Sequence, residues 1–131
     1  MQTKILGVDY GRKKIGLAIA EGPLAEPLEV IRYSDTRILR KKIKEIVDKN
    51  KIEKIVIGIS EGEMAEETTQ FLSAIRSTLP NIPVETHDET LSTQDAQRLA
   101  IEAHLPRGKR KSLEDAFAAA VMLQSYLDAH V

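Results

Sequence analysis

Apolar positions follow two rhythms along the chain. Residues 4–9 (Lys-Ile-Leu-Gly-Val-Asp) and 14–20 (Lys-Ile-Gly-Leu-Ala-Ile-Ala) are short runs rich in β-formers, and the Gly/Arg/Lys link between them reads as a hairpin. Pro23 and Pro27 punctuate the next loop, and residues 28–33 supply a third strand. The period then changes: Ile38, Leu39, Ile43, Ile46 and Val47 repeat at helical spacing behind Ser34 and Asp35, both suitable caps. Residues 54–59 (Lys-Ile-Val-Ile-Gly-Ile) read as a fully buried strand. Residues 64–79 form a helix that turns Phe71, Leu72 and Ile75 inward and stops before Pro80. A fifth strand over 83–87, a third helix over 92–103 and a last helix over 113–127 complete the order.

Three hairpin-linked strands followed by strand–helix units predict an α/β protein with a five-stranded mixed sheet flanked by helices. The ribonuclease H-like fold has this layout, with its first strand central. At 131 residues the chain is one domain's worth, 1–131, with neither repeat nor linker. It has no cysteine, which excludes a disulfide scaffold, a thiol nucleophile and cysteine-ligated metal. His87, His104 and His130 are too scattered for a histidine metal cage. No apolar run approaches the roughly 20 residues of a membrane span. The first residues lack a signal-peptide pattern, so a cytoplasmic protein without a membrane partner is expected.

Acidic residues carry the candidate chemistry. Asp9 ends the first strand in Gly7-Val8-Asp9-Tyr10-Gly11, where a carboxylate must be solvated, paired or metal-bound. The same segment suits a turn aspartate bonding its own backbone, and the motif alone does not choose. Gly11 allows a tight turn, and Gly16 lets the second strand pack closely. Asp88 and Glu89 close the fifth strand; alone, they read as acids favoured at the start of the following helix. Asp115 opens the last helix three residues after Ser112, as a capping-box partner would. Yet no charge follows it between Ala116 and Leu127, so this helix is expected to be buried on nearly all sides, with Asp115 facing a cleft. Together, three acids from distant positions with no softer ligands suit an oxygen-ligated Mg²⁺ or Mn²⁺. Such ions activate water and stabilise a leaving oxygen in phosphodiester cleavage.

The net charge of −1 hides local patches. Arg12, Lys13 and Lys14 sit between the first two strands, and Arg107, Lys109, Arg110 and Lys111 lie in a loop before the last helix. A short charge run is usually a solvated loop, but beside a phosphodiester site these seven become candidate phosphate contacts. Lys41, Lys42 and Lys44 line the exposed face of their helix, while residues 61–67 are acidic. With two Phe, three Tyr and no Trp, a base-stacking platform is not expected. His87 is the one histidine near enough to the acids to be considered as a proton carrier.

Asp9-Tyr10-Gly11-Arg12-Lys13-Lys14-Ile15-Gly16-Leu17-Ala18 resembles the opening D-x-G-x-x-x-I-G-x-A motif of the YqgF family of Holliday junction resolvase-like nucleases. The segment His87-Asp88-Glu89-Thr90-Leu91-Ser92-Thr93 is similar to that family's H-D-E-R-L-S/T-T. The stretch from Asp115 through Ala118, Ala119, Leu123, Gln124 and Tyr126 to Leu127 is similar to its closing helix, D-x-x-A-A-x-x-I-L-Q-x-Y-L. The three motifs fall in the family's order and span essentially the whole chain.

The resemblance implies that Asp9, Glu89 and Asp115 are catalytic metal-site residues, with Asp88 a neighbouring contributor. It further implies a nuclease acting on structured RNA, such as the precursor of 16S rRNA in ribosome biogenesis, or on branched DNA, with ribosomal particles as partners. Two departures stand out. Thr90 replaces the family's arginine, a residue suited to gripping phosphate, and Gly58-Ile59-Ser60-Glu61-Gly62-Glu63 replaces its G-L-P-x-x-x-x-G stretch. Arg12, Arg107 and Lys109 are the candidates to supply the missing positive charge.

Two other readings compete. One is a non-catalytic ribosome-assembly factor that binds nucleic acid with the same fold, motivated by Thr90 and the acidic 61–67 segment. The other is a sugar kinase- or chaperone-type ATPase, whose phosphate loop also fits D-x-G-x-x-x-x-G but which closes two such domains around its nucleotide. A monomer and a homodimer are both compatible, since symmetric cutting of two strands calls for a two-fold pair and RNA trimming does not.

Overall fold

Alternation along the strands sorts the core into two halves. The structure, a computed structural model, describes residues 3–11, 13–59, 65–88 and 107–130. Within them run β1 (Lys4–Asp9), β2 (Lys14–Glu21), β3 (Ala25–Arg32), α1 (Thr36–Asn50), β4 (Lys54–Ile59), α2 (Ala65–Thr78), β5 (Val84–Asp88) and α3 (Arg107–Ala129). The sheet has five strands in the order β3-β2-β1-β4-β5, so β1 is central as expected. β1 pairs antiparallel with β2 and parallel with β4; β2–β3 is antiparallel and β4–β5 parallel. The expected mixed α/β sheet is therefore present.

One face packs large branched side chains (Leu6, Val8, Ile15, Leu17, Ile55 and Ile57) against Leu39, Ile43 and Val47 of α1 and Phe71 and Ile75 of α2. The other lays Ile5, Ala18, Ala20 and Val56 beneath Ala119, Ala120, Met122, Leu123 and Tyr126 of α3. α1 starts where Asp35 caps it, accepting from the Arg37 N–H at 2.8 Å. It stops at Lys51, whose left-handed backbone (φ 55°) closes the helix with bonds back to Asp48 and Val47.

Several boundaries differ from the sequence reading. β3 begins at Ala25 rather than 28 and takes in Pro27. Proline is tolerated there because β3 is an edge strand, and a register shift beside Ala18–Pro27 leaves Leu28 bulged. Ile38, expected to face inward, is 52% exposed, because the buried stripe runs through Leu39, Ile43 and Val47. The largest correction is at the last helix, which begins at Arg107, not 113. Arg107, Lys109, Arg110 and Lys111 thus lie on its first turns, not in a loop, and Asp115 stands two turns inside, too far in to cap anything. Lysine and arginine are good helix formers, and a charge run after Pro106 extends a helix as readily as it makes a loop. The helix expected over 92–103, along with Arg12, Glu89 and Thr90, lies outside the described residues.

Candidate functional site

Register sets the site. Asp9, the last residue of β1, pairs with Gly16 on β2 and Gly58 on β4, and Gly58 pairs with His87 on β5. Directly paired residues project to the same face, so the row Gly16–Asp9–Gly58–His87 lies on the α3 side. Glycine stands directly opposite Asp9 on both adjacent strands.

α3 comes down on this row. A Cβ placed on Gly16 would lie 1.8 Å from the carbonyl oxygen of Asp115 and 2.9 Å from the Ala116 nitrogen. Only glycine permits that approach. The backbone of Asp115 therefore rests over the strand position immediately beside Asp9, and two carboxylates 106 residues apart in sequence share one end of one face.

The Asp115 carboxylate is one-third exposed, and the Lys14 ammonium contacts its Oδ2 at 2.9 Å. Lys14 leads into Gly16 on the same face of β2 and was expected to contact nucleic acid; here its Nζ holds a site carboxylate. The hairpin tip beside Asp9 is also fixed. The Tyr33 hydroxyl donates to the Gly11 carbonyl at 2.6 Å, and the Tyr33 N–H donates to the Lys13 carbonyl at 3.0 Å. Burial, then the adjacent Tyr10, push the Tyr33 phenol well above its ordinary value, so it remains a donor throughout the neutral range.

The other predicted residues divide. Asp88 is exposed at the end of β5, and strand alternation turns it to the face opposite His87 and Asp9. Lys13 is exposed at the hairpin tip. Glu89 and Arg12 lie outside the described residues, and among the described residues no three acidic or histidine side chains form a cluster able to hold a metal. Two of the three proposed ligands are thus brought together, and both offer the hard oxygen donors that suit Mg²⁺ or Mn²⁺.

His87 points at α3, its Nε2 lying 3.0 Å from the Ser125 Oγ, with its ring edge-on to Tyr126. Sequence reasoning missed the adjoining network. The Tyr126 hydroxyl donates to Glu85, and Lys54 Nζ donates to the same hydroxyl at 3.2 Å while lying 3.5 Å from Glu85. The Tyr126 bond, then Lys54, hold the Glu85 carboxyl below its usual range, whereas burial, then the Glu85 carboxylate, raise the Tyr126 phenol. On the other flank the Gln124 amide accepts from the Ala25 N–H and donates to the Pro23 carbonyl, both at 2.9 Å. Gln124, Ser125 and Tyr126 thus tie α3 to β3, β5 and β4, which keeps its Asp115 end seated on Gly16. Their signal in the sequence was a polar triplet in an otherwise apolar helix, with Gln124 and Tyr126 standing at positions of the closing motif.

A central strand ending in an acid, flanked by glycines and covered by a long helix with a second acid, defines a ribonuclease H-like protein. Solved structures share the fold. Thermus thermophilus RuvC in complex with a Holliday junction substrate superposes with TM-score 0.64 at 19% identity, covering 98% of this chain and 95% of that one. The fowlpox virus resolvase in complex with Holliday junction DNA gives TM-score 0.65 at 14% identity, covering 98% and 99%. At the level of sequence, the RuvX family, described as Holliday junction resolvase, matches residues 3–129. A relative from Halothermothrix orenii, named "Putative pre-16S rRNA nuclease", is 38% identical across 95% of this chain and 94% of its own. The chain belongs to the RuvX (YqgF) family.

Proposed function

We propose that this protein is an endonuclease that hydrolyses phosphodiester bonds in structured nucleic acid, its substrate being the 16S rRNA precursor after which its relatives are named. The meeting of Asp9 and Asp115 across Gly16 carries this reading. Asp9, Glu89 and Asp115 would hold Mg²⁺ or Mn²⁺, while Asp88, turned to the opposite face, is left out of the set. When bound, such ions supply a water of lowered pKa and offset charge at the cleaved phosphate.

The chain's own residues do the positioning. The contact of α3 with Gly16 fixes the spacing of the carboxylates, Lys14 orients Asp115, and Tyr33 immobilises the tip next to Asp9. Lys13, Arg12 and the basic first turns of α3 (Arg107, Lys109, Arg110 and Lys111) contact phosphates, which orients nucleic acid without selecting its sequence. The proposed site of action is the cytoplasm; separately, no helix among the described residues is long and apolar enough to cross a membrane.

The test is cleavage of labelled 16S rRNA precursor and of a four-way DNA junction, each with and without Mg²⁺ or Mn²⁺. The wild type is expected to cut the RNA only with metal, and Asp9→Asn to remove cutting while keeping the same thermal midpoint. Full activity in Asp9→Asn refutes the assignment. Metal-stimulated cutting of the junction alone makes branched DNA the substrate. RNA binding without cleavage under any metal makes the protein an assembly factor.

A further inference from the structure

The first half of the exposed side of α1 carries positive charge that the site does not use, before Glu45 and Asp48 enter in the second half. Arg37, Lys41 and Lys44 recur at i, i+4 and i+7 on the exposed side, and half-buried Arg40 borders the buried stripe of Leu39, Ile43 and Val47. Residues at these spacings are neighbours on a helix surface, and like charges there destabilise the isolated helix. Arg37 pairs with the capping Asp35 at 3.3 Å, but among the described residues no carboxylate lies within 4.0 Å of Arg40, Lys41 or Lys44. The neighbouring helix α2 opens with Glu66 and Glu67, so the positive strip does not extend onto it.

Position gives the strip a purpose. α1 begins three residues after Tyr33, the residue whose hydroxyl and N–H hold Gly11 and Lys13 at the hairpin tip beside Asp9. Arg32, exposed at the end of β3, pairs with Lys14 and so projects to the α3 face of the tip, the side away from α1. Positive charge therefore flanks the tip on both faces, Arg32 on the α3 side and, on the other side, about 10 Å of α1 from Arg37 to Lys44, a rise of roughly 1.5 Å per residue.

The aromatic side chains are committed elsewhere. Phe71, Phe117 and Tyr126 are buried, Tyr10 stacks near Phe71, and Tyr33 packs on the core. α1 itself carries no aromatic residue, so a single strand lying on it would find no ring to stack on, whereas a double-stranded segment offers the strip its phosphates.

We propose that Arg37, Arg40, Lys41 and Lys44 of α1 form a second phosphate track that grips the double-stranded flank of the substrate beyond the cleavage site. This deepens the nuclease reading, because it places substrate on α1 as well as at Asp9. It is testable by binding alone, apart from cleavage.

The probe is a labelled RNA duplex, titrated without divalent metal at several salt concentrations. The quadruple variant R37Q/R40Q/K41Q/K44Q is expected to bind about tenfold or more weakly near physiological salt, its log K against log salt slope shallower by about 3–4. K42Q/K49Q, on the other flank of the same helix, serves as the control and should match wild type. Circular dichroism establishes that both variants are folded. With saturating precursor RNA, the quadruple variant should raise KM and leave kcat unchanged.

An unchanged slope in the folded quadruple variant overturns the proposal, as does an equal loss in K42Q/K49Q. So does a loss confined to anionic phospholipid vesicles, which would make α1 a membrane contact. Asp9→Asn should bind the duplex like wild type, so a failed track and a failed nuclease assignment give different results.

Discussion

The two faces of the sheet are built on opposite principles. Beneath α1 and α2 the strands present leucine, isoleucine and valine, and the helices stand off on a layer of large side chains. Beneath α3 they present Gly7, Gly16, Gly58, Ala18 and Ala20 beside Ile5 and Val56, with Gly7 under Leu123, Gly58 under Met122 and Gly16 under the Asp115 backbone. The first face buries apolar area, the main favourable term in folding. The second gives up side-chain volume so that a helix can lie nearly on the strand backbone, and both described site carboxylates are on it. Close approach between rigid elements holds groups more precisely than loops do, as a hydrolytic site requires.

That difference can be attacked from either side. The largest effect should come from Gly16→Ala, which adds one carbon where the Asp115 carbonyl already stands 1.8 Å away. It is expected to cost upwards of about 3 kcal/mol in urea unfolding, with cleavage lost in whatever remains folded.

Tyr126→Phe, which unties the far end of α3 from Glu85 and Lys54, should cost about 1.5 kcal/mol at neutral pH. Its pH dependence has a definite sign. Glu85 titrates lower in the folded protein than its ordinary value of 4.5, so its contribution is present above that value and disappears as pH falls through the folded pKa. The gap between wild type and Tyr126→Phe, measured by denaturation from pH 7 to pH 3, should narrow below about pH 4.5.

Ile57→Val removes one carbon from the fully buried opposite face and should cost about 1 kcal/mol, with cleavage intact. If this deletion proves as damaging as the addition at Gly16, the contrast between the faces is wrong.

The smallest stability effect belongs to Lys14→Gln, below about 0.5 kcal/mol for a half-exposed pair. Calorimetric titration with Mn²⁺ should nonetheless show tighter binding, because a competing cation has left Asp115.

Most of the sheet was legible because strands buried on one or both faces announce themselves. β1 and β4 were read to the residue, Lys4–Asp9 and Lys54–Ile59, since an apolar run bounded by charge has few alternatives. The centrality of β1 followed from element order, and Asp9 and Asp115 stood out as acids bordering apolar segments. Less visible was anything that depended on an edge or on a partner far along the chain. Pro27 read as a loop because sequence does not say which strand will be the edge. The basic run before Asp115 read as a loop because helix formers and solvated charges are the same residues.

By itself, then, the sequence determined the elements, their mixed-sheet order and the residues with chemistry to offer, because periodicity and residue type are local properties. Only the tertiary structure decided that Asp115 would settle over Gly16 beside Asp9, that Lys14 would turn to a carboxylate, that Asp88 would face away and that α1 would pack on the face opposite α3. Those outcomes depend on register and helix placement, where one residue of slip moves every side chain to the other face.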